Sequence, residues 1–182
     1  PKTLAVLISG RGSNLAALIA AVEDGRLPAR IVLVLADRDC AGLEHALNAG
    51  IPVQLIDRKL PDFGARLTAA LPPVDFIVLA GFLSIIPPAL IRRFPQKIIN
   101  LHPSLLPLFK GAHAIKESFE SDMKVGGVSV HWVSEELDGG AIIAQRAFEK
   151  SAGMSLEAYE AKIHEIEHEL LPQVVIEILC QS

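Results

Sequence analysis

The chain has 182 residues, 51% of them hydrophobic and 21% charged, enough for one well-filled domain of the usual ~100–200 residues and too apolar to be disordered. Its 17 Lys and Arg stand against 21 Asp and Glu, a formal net charge of −4, which leaves no basic footprint for a nucleic-acid partner. The two cysteines, Cys40 and Cys180, form no CxxC, which excludes a disulfide framework and a Cys-based zinc site and agrees with a reducing compartment.

The amino-terminal Pro1-Lys2-Thr3 leads straight into a strand-like run, without a charged n-region or an apolar h-region. A cytoplasmic location is therefore expected. Apolar runs of about six to eight residues are too short to span a bilayer, so no membrane partner is expected. Leu4–Ile8, Ile31–Ala36, Val53–Ile56 and Phe76–Ala80 barely alternate, as strands buried on both faces of a parallel sheet do. Asn14–Glu23, Gly42–Ala49 and Asp62–Leu71 lie between them and carry one apolar stripe each. The alternation predicts right-handed βαβ crossovers and a three-layer α/β/α sandwich around a mostly parallel, doubly wound sheet.

Lys97–Leu101 is a further strand candidate, running into His102-Pro103-Ser104-Leu105-Leu106-Pro107, where two prolines forbid regular helix. Gly126–Val133 alternates, and Ala141–Phe148 is its expected antiparallel partner across an Asp138-Gly139-Gly140 turn. Leu156, Tyr159, Ile163, Ile166 and Leu170 repeat at helical spacing; Pro172 is expected to interrupt that helix, with another following to Leu179. No linker or repeat divides the chain, so residues 1–182 are expected to form a single domain.

Two segments carry chemistry. Ser9-Gly10-Arg11-Gly12-Ser13-Asn14 joins the first strand to the first helix, where an open α/β sheet binds its ligands. It is neither GxGxxG, since Leu15 stands where the third glycine would be, nor a P-loop. It reads equally as a cradle for a single phosphate, using the helix N-terminus, or as a tight turn with Ser13 as N-cap. The second segment, Asn100-Leu101-His102, closes a strand, and alternation puts Asn100 and His102 on one side. An amide donor beside an imidazole suits acyl transfer, the amide for an oxyanion and the imidazole for a proton. Asp138 would hold an imidazolium by its opposite charge. No GxSxG elbow supplies a nucleophile, so direct attack by a substrate amine is expected. A histidine bonded to the backbone for structural reasons is the competing reading of His102, and of His131 in the alternating strand. His164 and His168 sit one turn apart, but no third ligand accompanies them, so no metal is expected.

Ser9-Gly10-Arg11-Gly12-Ser13-Asn14-Leu15, Ala80-Gly81-Phe82, Asn100-Leu101-His102-Pro103-Ser104-Leu105-Leu106-Pro107 and Leu137-Asp138-Gly139-Gly140 follow one another here in the order that the phosphoribosylglycinamide formyltransferases show. The chain resembles that family over nearly its whole length. The Asn100–Pro107 segment is shared with other formyltetrahydrofolate enzymes, whereas methionyl-tRNA formyltransferases and formyltetrahydrofolate deformylases depart from the glycine loop. The resemblance implies a C-terminal antiparallel hairpin on a formyltransferase fold and a role in de novo purine synthesis. It also implies small-molecule partners, glycinamide ribonucleotide and 10-formyltetrahydrofolate, with the folate as formyl-donating cosubstrate and the protein a monomer or homodimer. Gly12, Ser13 and Asn14 would then hold the phosphate, and His164 and Glu167 would border the ribonucleotide. Leu83, Ser84, Ile85 and Ile86, with Ser134, Glu135, Leu137 and Asp138 opposite, would form the folate pocket, and Asn100 would meet the folate as well. Asn100, His102 and Asp138 would be catalytic. A basic residue after the third strand, Arg58 or Lys59, would meet the folate. Two further readings use the same residues: a hydrolase releasing formate, and a nucleotide-binding module without catalysis.

Overall fold

The computed structural model describes residues 1–182. A seven-stranded sheet runs through the molecule in the order β3-β2-β1-β4-β5-β6-β7. Strands β1 (Lys2–Ile8), β2 (Ala29–Ala36), β3 (Val53–Leu55), β4 (Phe76–Leu79) and β5 (Ile98–His102) are parallel. Strands β6 (Val125–Trp132) and β7 (Ile142–Glu149) extend the sheet antiparallel.

Strands β1, β2 and β4 are apolar on both sides because both sides are covered, whereas β3, expected to be buried as well, is the edge strand and is exposed at Val53, Gln54 and Leu55. Leu4, Val6 and Ile8 of β1 pack with α1 (Ser13–Glu23) and α6 (Leu156–Gln181) in one core. Ala5 and Leu7 pack with α3 (Phe63–Ala70) and α4 (Pro88–Arg93) in the other. Helix α2 (Leu43–Asn48) links β2 to β3, and α5 (Ala114–Glu120) precedes β6. Tyr159 is fully buried where α6 crosses β6; its hydroxyl pairs with Ser118 at 2.8 Å and its ring meets Phe119 and Phe148. Gly126 makes room for it, since a Cβ there would run into the ring.

The structure departs from the sequence reading at three further points. Pro172 does not end a helix: α6 is continuous from Leu156 to Gln181. The proline is buried in the apolar face, where packing outweighs the one backbone hydrogen bond that its ring removes. The hairpin between β6 and β7 is wider than a tight turn across Asp138-Gly139-Gly140: residues 133–141 join the strands, and the turn inside that loop is closed one residue earlier, by the Gly139 amide on the Glu136 carbonyl at 3.1 Å. Helix α4, absent from the periodicity reading, starts at Pro88, a residue pre-set for the first helical turn. No helix of the chain is long and apolar enough to cross a membrane.

Candidate active site

The chain leaves β1 toward β2 and β3 on one side, then returns to place β4 and β5 on the other. The strand order therefore reverses between β1 and β4, and a crevice opens outside their carboxyl ends, the place where such sheets bind ligands. Three loops border it: Ser9–Gly12 after β1, Ala80–Pro87 after β4, and the segment beyond His102 at the end of β5.

The glycine loop enters α1 without a side-chain cap. Gly12, not Ser13, is the N-cap residue; it lies at φ 75°, and no side chain accepts from the first turn. Ser13 is exposed and already helical, so the turn reading with Ser13 as N-cap does not hold. The first-turn amides keep their donors for another acceptor, which is what makes a helix start attractive to an anion. Gly12 is held by α2 from behind: a Cβ at Gly12 would come within 2.7 Å of Gly42 Cα. The amide of Gly42 donates to the Gly10 carbonyl at 2.9 Å. Asn14 is buried at 8% exposure, and its Oδ1 has no partner.

At the end of β5, Asn100 and His102 do share one side, and the loop between β6 and β7 folds back so that Asp138 reaches both His102 and His131. His102 Nδ1 lies 3.6 Å and His131 Nε2 3.8 Å from Asp138 Oδ1. The Asp138 carboxylate is pinned by the Gly111 amide, which donates to Oδ2 at 2.8 Å. Asp138 itself sits at φ 51°, a left-handed conformation that aspartate tolerates better than most residues. Gly140 lets the loop close, because a Cβ there would collide with the Trp132 carbonyl oxygen.

The hydrogen bonds fix which ring nitrogen does what. His102 Nε2 donates to the Phe109 carbonyl at 2.8 Å, since a carbonyl only accepts. Nδ1 is thus the nitrogen turned to Asp138, and it carries a proton only when the ring is charged. Phe109 holds its carbonyl there at φ 56°, with Ser104 Oγ bonded to the neighbouring Leu108 carbonyl at 2.6 Å. In His131 the roles are reversed: Nδ1 donates to the Trp132 carbonyl at 3.0 Å, so Nε2 accepts from Asn100 Nδ2 at 3.1 Å. Burial pushes the His131 imidazole below its ordinary range, against the pull of the Trp132 carbonyl and Asp138, which keeps it neutral and able to accept. One N–H of the Asn100 amide is thereby committed to His131 and the other is left for the site. The alternation of β6 predicts a buried, bonded His131; its link to Asn100 depends on the antiparallel register of β5 and β6, which pairs Asn100 with His131.

The other expected residues divide. Leu83 and Ile85 project into solvent at the crevice, 70% and 76% exposed, and Leu137 at 59% stands on the opposite loop. Ile86 does not line this opening: it is buried in the core under α4. Ser84 turns its hydroxyl inward to Asp37. Ser134 bonds within its own loop to the Glu136 carbonyl, and Glu135 pairs with Arg92 of α4 at 3.2 Å. Arg58 is exposed, with its backbone amide bonded to the Asp37 carbonyl at 2.9 Å; Lys59 is exposed too. On α6, which packs beside α1, His164 Nδ1 and Glu167 Oε1 are 2.8 Å apart. The buried Glu167 carboxylate raises the His164 imidazole above its ordinary range. His168 does not join that pair; its Nε2 is buried without a partner.

Asp37, at the end of β2, carries no sequence signal of its own. Its side chain is fully buried, and Arg38 grips it side-on with Nε and a terminal nitrogen each 3.0 Å from one oxygen. Burial would push this carboxyl up, but hydrogen bonds from Arg38, Ser84 and Ser9 outweigh it and hold the group below the usual carboxylate range.

The same combination of fold and loops is found in known proteins. The family model described as formyl transferase matches residues 2–175. The chain is 38% identical over 181 residues to the phosphoribosylglycinamide formyltransferase of Haemophilus influenzae, covering 96% of this chain and 85% of that one. It is 41% identical over 176 residues to the trifunctional purine biosynthetic protein adenosine-3 of Gallus gallus, where it spans 93% of its own length and 18% of the relative's. The crystal structure of phosphoribosylglycinamide formyltransferase from Campylobacter jejuni superposes with a TM-score of 0.91 at 50% identity, covering 98% of this chain and 97% of that one. By sequence and by fold, the chain belongs to the formyl transferase family.

Proposed function

We propose that this protein transfers the formyl group of 10-formyltetrahydrofolate to the amine of glycinamide ribonucleotide, a step of purine synthesis. The observation that carries the reading is the convergence of Asn100, His102 and Asp138 beside a crevice whose other wall is an uncapped glycine loop.

The phosphate of the ribonucleotide is placed on the first-turn amides of α1 at Gly12, Ser13 and Asn14. Glu167 and His164 on α6 border the rest of the ribonucleotide. The exposed Leu83 and Ile85 on one side and Leu137 on the other offer apolar surface to the flat pterin. The backbone of Ser84 and of the Ser134–Glu135 segment supplies polar contacts to the folate, as Arg58 does at the rim.

The reaction needs no enzyme nucleophile. The amine attacks the formyl carbon, forming the C–N bond while the carbonyl π pair moves onto oxygen. That oxyanion accepts from the free N–H of Asn100 and is stabilised by a protonated His102, whose charge Asp138 balances. Collapse breaks the bond to N10 of the folate. The amine nitrogen gives up one proton and N10 gains one, so His102 with Asp138 needs only to relay a proton and ends as it began.

Replacement of His102 by Ala is expected to lower kcat by at least about 10²-fold and to leave ribonucleotide affinity, read by calorimetry, within about threefold. Equal loss of binding and turnover in a folded variant would make His102 a structural histidine and remove the basis of the proposal. Formate released at the same rate without ribonucleotide would favour the hydrolase, since the same residues can activate water.

A further inference from the structure

The Asp37 carboxylate is not adjacent to the reacting groups, yet it touches both loops that the proposed function assigns to different substrates. Ser84, on the loop after β4, donates to Oδ2. Ser9, at the head of the glycine loop, accepts the Leu83 amide on Oγ at 2.8 Å, so its own hydroxyl proton is free to turn to Asp37, where it supports the charge. The Ser9 amide in turn donates to the Gly81 carbonyl at 3.1 Å. The carboxyl ends of β1, β2 and β4 are therefore joined through one buried anion, and a further loop, after β3, is tied in by the Arg58 amide on the Asp37 carbonyl.

A charge at this depth carries a large desolvation cost that an apolar residue would avoid. Stability alone is a poor reason to keep it. An acceptor with two oxygens has a geometric use instead: it accepts from hydroxyls on two loops while Arg38 fixes its plane, which sets the loops in one register.

We propose that Asp37 is a positioning residue that holds the glycine loop and the Gly81–Pro87 loop in a common register, so that the ribonucleotide and folate sites are set together. The assignment of the two sites rests on the function proposed above; the mechanical link between the loops does not. A disturbance on one loop then appears on the other. Ser9→Ala, a change on the ribonucleotide side, weakens use of the formylfolate. Asp37→Asn, which leaves Arg38 without its full partner, weakens use of both substrates.

The test uses wild type, Ser9→Ala, Ser84→Ala and Asp37→Asn, with two readouts. In the free protein, backbone amide resonances are compared. The link predicts that Ser84→Ala moves the Gly10 and Gly12 signals, and that Asp37→Asn moves both sets; shifts confined to the substituted loop would overturn it. In steady-state kinetics, Ser9→Ala is expected to raise KM for the formylfolate donor about three- to tenfold, the size of one hydrogen bond, with a smaller change in kcat. A lower Tm with every KM unchanged would mean that the cluster is structural only and would overturn the proposal. If Asp37→Asn fails to fold, the two serine variants decide alone. If wild type has no ribonucleotide-dependent turnover, the proposed function fails, and the amide resonances still decide whether the loops are linked.

Discussion

Replacing His131 by Phe isolates what the neighbouring imidazole does for Asn100. Phenylalanine keeps the ring's bulk in a site that is 2% exposed and removes two hydrogen bonds, to the Trp132 carbonyl at 3.0 Å and from Asn100 Nδ2 at 3.1 Å, together with the 3.8 Å approach of Nε2 to Asp138 Oδ1. Each of the two lost hydrogen bonds leaves a partner unsatisfied, at about 1–3 kcal/mol for a buried group. A stability loss of about 2–6 kcal/mol is therefore expected. The catalytic effect is smaller than deletion of the amide itself. Removing an oxyanion donor costs about 10²–10³ in kcat, whereas His131→Phe leaves Asn100 in place and removes one orienting hydrogen bond, about 0.5–1.5 kcal/mol or a factor of about 2–12. Steady-state kcat for His131→Phe and Asn100→Ala, measured from pH 6 to 9, checks this. The pH dependence should keep its shape in His131→Phe, because a neutral acceptor exchanges no proton. A loss equal to that of Asn100→Ala, or a displaced pH profile, would refute the reasoning and give His131 a part in proton transfer.

Other outcomes follow from the same geometry. Gly140→Ala is expected to lower kcat by about 10²-fold, because its Cβ would strike the Trp132 carbonyl and shift the loop that carries Asp138; kcat within twofold of wild type would show that the loop absorbs the change. Glu167→Gln is expected to lower the NMR titration midpoint of His164, since Glu167 is the main group raising it. A raised folded value means that the pair stabilises the protein below the ordinary histidine range and that this contribution fades as pH rises through the folded value. The difference in Tm between wild type and Glu167→Gln should therefore shrink from pH 6 to pH 8, and an unchanged His164 midpoint would contradict the pairing.

The features that the sequence displays most plainly are those set by local pattern. Both-face apolar strands, the glycine loop and the alternation that aligns Asn100 with His102 all follow from residues a few positions apart. Features that depend on distant chain segments are not written that way. The neutrality of His131 and its role as acceptor require the register of β5 against β6. The family resemblance implies a pocket role for Ser84, and only the depth of Asp37 explains why its hydroxyl turns inward. Ile86 lies in the same run as Leu83 and Ile85 but is drawn into the core by the start of α4. Pro172 reads as a stop because proline disfavours helix interiors, and the burial of both flanks of α6 overrides it. Gly12 takes the cap position because α2 leaves no room for a Cβ behind it.

The destination of the formyl carbon separates transfer from hydrolysis. A folate donor carrying a ¹³C-labelled formyl group, incubated with the protein and glycinamide ribonucleotide, lets the carbon be followed by NMR. Formyl transfer predicts a new amide formyl signal on the ribonucleotide that grows as the donor signal falls, and that grows about 10²–10³-fold more slowly when Asn100 is replaced by Ala. Label recovered as formate, whether or not ribonucleotide is present, would contradict it.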